Sequence, residues 1–99
     1  MAGQLCSRIF SKANGTRSHL SVYMLADRSI EIEVQHEPEA RSTEYVIDEG
    51  DELVLFVKIE GVAAGEPDGV IIDRPTLLPS TSFIIRDREG TRGLVEVTS

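Results

Sequence analysis

The chain has 99 residues, with 17 acidic against 10 basic side chains and a net charge of −7. That length suits a single domain over residues 1–99 with one modest core, and the acid excess disfavours direct nucleic-acid binding, which needs clustered Lys and Arg against phosphate. Aromatic residues make up only 5% and Trp is absent, so the core must be aliphatic and a platform for stacking bases or sugars is disfavoured.

The charge is unevenly placed. Residues 1–28 carry Arg8, Lys12, Arg17 and Arg28 against Asp27, for +3; residues 29–69 carry twelve acids against Arg41 and Lys58, for −10; residues 70–99 balance at 0. The single cysteine, Cys6, permits no internal disulfide and fits a reducing compartment. Residues 1–10 show no secretion signal, and no run approaches the ~18 apolar residues of a membrane helix. The expectation is a cytoplasmic protein, or one assembled into a particle, without membrane contact.

In chain order, residues 5–11 hold Leu5, Ile9 and Phe10 and read as a first strand. Asn14-Gly15 follows, a strong hairpin signal because both residues tolerate positive φ; the glycosylation-like Asn14-Gly15-Thr16 is read as that turn. Residues 18–25 put Leu20, Val22 and Met24 on one face, and Ala26-Asp27-Arg28 turn the chain. Residues 29–36 alternate cleanly, with Ile30, Ile32 and Val34 facing the core and Glu31, Glu33 and Gln35 facing water. Pro38 ends that strand, because proline cannot donate to a ladder.

A central hairpin is expected over residues 43–60, about the acidic turn Asp48-Glu49-Gly50-Asp51. Its second arm contains Leu53-Val54-Leu55-Phe56-Val57, the longest apolar run, which predicts a strand buried on both faces. Residues 61–69 read as a loop, Val70-Ile71-Ile72 as a short buried strand, and 74–80, with two prolines, as an extended crossing segment. A last hairpin pairs 83–85 with 94–98 about Asp87-Arg88-Glu89-Gly90. About seven or eight short strands, with turn signals roughly every 8–12 residues, predict an all-β antiparallel β-sandwich, immunoglobulin-like or jelly-roll-like, with a small β-barrel as the alternative. The acidic Gly turn, hydrophobic strand and closing hairpin resemble immunoglobulin-like domains in architecture; the paired cysteines and core tryptophan of that family are missing here, and no function is carried across.

The residues that carry chemistry are few. Cys6, His19 and His36 are three potential zinc ligands, but none has the local spacing of a zinc site, and the histidines are expected at the surface. Asp48, Glu49, Asp51 and Glu52 crowd one turn without the alternating pattern of a calcium loop. No phosphate-binding, dinucleotide-binding, serine-hydrolase or zinc-protease motif is present. The expectation is therefore no metal, no cofactor, no small-molecule substrate and no enzymatic activity.

What remains is surface charge. Glu31, Glu33, Glu44, Asp48, Glu49, Asp51 and Glu52 form an acidic set, and Arg86, Arg88 and Arg92 a basic one, as candidate protein contacts. The arginines either pair locally or meet acids from elsewhere in the fold or on a second copy. The leading expectation is a non-catalytic protein-binding or assembly module, such as a structural subunit of a viral or phage particle, whose partner is itself or a basic protein. The alternative is an acidic inhibitor occupying a basic or nucleic-acid-binding groove, since Glu31 and Glu33 lie ~7 Å apart along one strand face. A small enzyme is the third.

Overall fold

The computed structural model describes residues 3–11, 15–61, 69–73, 81–95 and 97–98. It is all-β, with two packed sheets built from β1 (Gly3–Ser11), β2 (Arg17–Met24), β3 (Ile30–Glu37), β4 (Ser42–Asp48), β5 (Glu52–Ile59), β6 (Gly69–Asp73), β7 (Phe83–Asp87), β8 (Gly90–Leu94) and β9 (Val97–Thr98). The first sheet has the order β1-β2-β3-β7-β8 and the second β6-β5-β4-β9, so the strands do not close into a barrel.

Alternation dictates the layers. On β2 and β3, Leu20, Val22, Ile30, Ile32 and Val34 point inward, joined from β7 by Phe83 and Ile85; Val46, Leu53, Leu55, Val57, Val70 and Ile72 answer from the second sheet. Among the described residues, Phe83 is the one aromatic fully inside an otherwise aliphatic core, with Phe10 partly buried against it. The local turns follow their chemistry. Asp27 Oδ1 accepts from the Ser29 N–H and hydroxyl at the β2–β3 turn. Asp48 Oδ1 accepts from the Gly50 N–H at the β4–β5 turn, where Gly50 has φ +83°, a conformation that favours glycine.

Four sequence expectations need correction. The sheets are not purely antiparallel: β3 pairs in parallel with β7, and β4 with β9. The chain leaves the first sheet after β3, builds β4–β6 in the second, and returns as β7 beside β3, which makes that excursion the crossover a parallel pair requires. The last hairpin is also shorter than expected, joining β7 to β8; β9 then passes to the other sheet. β5 is buried on one face only: Leu53, Leu55 and Val57 are buried, while Val54 and Phe56 are half-buried on the outside. Likewise Val70 and Ile72 of β6 face the core, but Ile71 faces out. In a two-layer fold each sheet has one core face, so a continuous apolar run here marks an apolar outer surface rather than two-sided burial. Asn14, most of the 61–69 loop and the 74–80 crossing segment lie outside the described residues.

Candidate functional site

The inward registers do not stay apolar to the strand ends. β3 continues from Ile30, Ile32 and Val34 to His36; β2 reaches back from Leu20 to Ser18; β4 reaches back from Val46 to Glu44 and Ser42. All four polar residues therefore meet at one end of the space between the sheets. Ser18 and His36 are direct partners across β2–β3. A fifth group enters from β8. Ile85 pairs with Gly93 and Arg86 with Thr91, so Arg92 is the extra residue of a bulge, a device that re-aims a side chain. Here it carries the guanidinium across to the second sheet.

The groups form one chain of hydrogen bonds. His36 Nδ1 lies 2.9 Å from Ser18 Oγ, and His36 Nε2 lies 2.7 Å from Ser42 Oγ. The Ser42 hydroxyl donates to Glu44 Oε1 at 2.6 Å. Arg92 pairs with Glu44 Oε2 and donates to the Ser42 carbonyl at 3.1 Å; its Nε lies 3.7 Å from Asp87 Oδ2. A hydroxyl has one proton, and Ser42 gives its own to the carboxylate. His36 must therefore donate to Ser42 from Nε2; when the imidazole is neutral, its Nδ1 then accepts from Ser18. At Ser42 the polarity is opposite to that of a serine nucleophile, whose proton goes to the imidazole; Ser18 does give its proton to the imidazole, but it is fully buried. Among the described residues, every buried side-chain nitrogen or oxygen has a partner. The network ties the two sheets together.

Beside it opens a cleft of about 680 Å³, lined by His36, Glu39, Arg41, Ser42, Arg88 and Arg92 among others. Its charges are mixed, with Arg88 3.8 Å from Glu39.

The expected surface position of His36 is thus corrected: it is buried, because the inward period of β3 runs through it. That period was the readable signal, since position 36 has the parity of 30, 32 and 34. His19 lies on the opposite face of the same sheet, exposed, with Nε2 3.0 Å from Ser7 Oγ. The two histidines therefore do not converge with Cys6, which is half-buried against the core. Burial raises the Cys6 thiol pKa, with Arg8 pulling weakly the other way.

The charged candidates separate into three places. Glu44 is inside, its side chain 2% exposed, so it does not present a carboxylate to a partner. Arg86 reaches Glu31 at 3.3 Å on the outer face of the first sheet, with Glu33 half-buried nearby, over a shallow hollow of about 310 Å³. Asp48, Glu49, Asp51 and Glu52 lie at the β4–β5 turn, at the other end of β4 from Ser42; Glu49, Asp51 and Glu52 are exposed. The arginines of the β7–β8 hairpin thus meet acids of the middle segment within one chain. Arg92 does so at a nearly buried carboxylate; the more exposed Arg86 and Arg88 pairs are each worth roughly 0–1 kcal/mol.

The chain matches no protein-family model, no curated protein and no solved structure.

Proposed function

We propose that the protein is a non-catalytic binding or assembly module that works through protein–protein contact. The observation that carries this reading is where, among the described residues, the exposed large apolar side chains lie. Leu5 and Ile9 are on β1, Ile71 on β6, Leu94 on β8 and Val97 on β9, and these are the four edge strands of the two sheets. Single exposed apolar residues are ordinary. Their confinement to edges is informative, because an edge already offers unpaired backbone groups to another chain, and soluble proteins usually blunt such edges with charge. The polar network supports the same reading, since its donors and acceptors are occupied with one another. Within the two-layer class, the arrangement favours an immunoglobulin-like or jelly-roll-like sandwich, with the two parallel pairs as its departure from a purely antiparallel one.

Sedimentation velocity tests the proposal. A species heavier than one 10.9 kDa chain, dissociating on dilution, is expected. A single-chain mass at every concentration, together with no change on mixing with basic proteins, would contradict it.

A further inference from the structure

The outer face of the second sheet is apolar across three strands. Register places Tyr45 beside Phe56 and Phe56 beside Gly69; one row on, Ile47 lies beside Val54 and Val54 beside Ile71. The Tyr45 and Phe56 rings stack, with centroids 5.3 Å apart and planes at 26°. A Cβ at Gly69 would lie 2.8 Å from Val54 Cγ1 and 3.0 Å from Phe56 Cε1, so those two side chains occupy the space over the glycine and extend the patch onto β6. Ile71, at its margin, is 58% exposed.

Charge brackets this patch along β5. Glu52 stands at one end of the outward register and Lys58 at the other, both exposed. Among the described residues, neither takes part in an ion pair. Six residues of strand separate them by ~20 Å.

We propose that two copies of the chain meet on this face, about a two-fold axis that sets their β5 strands antiparallel. The proposal rests on the assembly reading above and names its partner and surface. A two-fold between Val54 and Phe56 places Lys58 of each copy over Glu52 of the other, and Phe56 over Val54. The patch is self-complementary, as an isologous interface must be: its apolar centre maps onto itself and its charged ends onto their opposites. Sheets packed face to face sit ~10 Å apart within about 30° of alignment, which lets such end charges meet. A uniformly basic partner would leave Lys58 facing like charge.

The test uses two charge variants, their mixture and one apolar-patch variant. Lys58→Glu makes both ends of the patch acidic. Glu52→Lys makes both basic, with Asp73→Asn added because Asp73 is the cross-strand neighbour of Glu52. Sedimentation equilibrium at low salt should give a dimer for the unaltered chain and about 100-fold weaker dimerisation for each variant, since like charges face each other. An equimolar mixture should recover the dimer as a heterodimer, with every charge met. Ile71→Ser should weaken the dimer at all salt concentrations while the unfolding midpoint of the dilute chain is unchanged. If the unaltered chain assembles but both charge variants assemble equally well, or the mixture is no tighter than either alone, the surface is wrong and the assembly reading stands. A single-chain mass for the unaltered protein at all concentrations overturns this dimer, and the assembly reading then depends on a different partner.

Discussion

The Glu44 carboxylate, on β4 of the second sheet, is met by the guanidinium of Arg92, on β8 of the first. The pair spans the two layers at the end where the core turns polar, and Ser42 holds the other carboxylate oxygen. The Glu44 side chain is almost fully buried and the Arg92 side chain 34% exposed, so the arrangement is asymmetric. Losing the cation strands a buried charge, whereas losing the anion leaves a cation that water can reach.

Arg92→Met should therefore cost about 2–3 kcal/mol, below the range for a fully buried pair because Arg92 is partly solvated. Glu44→Gln should cost less, and the double variant should recover at least ~1 kcal/mol of the Arg92→Met loss. Urea unfolding of the three variants measures this. Strict additivity would show that the two groups are not coupled.

The histidines should behave oppositely. His36→Ala removes the partner of the buried Ser18 hydroxyl and the half-buried Ser42 hydroxyl and opens a void, at a cost of about 2–4 kcal/mol. His19→Ala, on the outer face, should change stability by less than about 0.5 kcal/mol. Equal effects would mean that the two residues share an environment, contrary to their placement on opposite faces of one sheet.

Leu55 and Phe56 are neighbours on β5 with different surroundings. Leu55 is fully buried, and Leu55→Ala should cost ~2–5 kcal/mol. Phe56→Ala, measured on dilute protein, loses the Tyr45 stack and partial cover, about 1–2 kcal/mol. A larger loss at Phe56 than at Leu55 would reverse the assignment of faces.

Asp27 supplies a pH signature. Hydrogen bonds from the Ser29 hydroxyl and then the Ser29 N–H hold its carboxyl below the ordinary value of 3.8. A depressed folded pKa means that the stabilisation is present above the unfolded value and is lost as pH falls through the folded one. The stability gap between the natural chain and Asp27→Ala should therefore be constant near neutrality and shrink below about pH 4. A gap independent of pH would show that the carboxylate charge contributes nothing.

Much of this fold is written in local pattern. Ile30, Ile32 and Val34 announce β3 and its core face, and Asp48, Gly50 and the runs around them announce the central hairpin. The polar strut was half legible: the period of β3 extended to His36 gives its burial, and that of β4 extended back from Val46 gives Glu44. Arg92 was not legible, because it faces inward only through a bulge that exists once β7 and β8 are in register. The parallel β3–β7 pairing was hidden for a related reason, since it depends on where the β4–β6 excursion returns rather than on any turn residue. The run Leu53–Val57 misled because contiguous apolar residues signal two covered faces, and one of those faces is the outer surface of the sheet.

The most direct measurement is a zero-length amine–carboxylate cross-link on an equimolar mixture of ¹⁵N-labelled and unlabelled chains. Within one chain, Lys58 and Glu52 are ~20 Å apart along β5, so an amide joining them must bridge two molecules. The account predicts Lys58–Glu52 linked peptides carrying one labelled and one unlabelled half. Cross-linked dimers in which that amide is absent, with the chains joined at other residues, would contradict it.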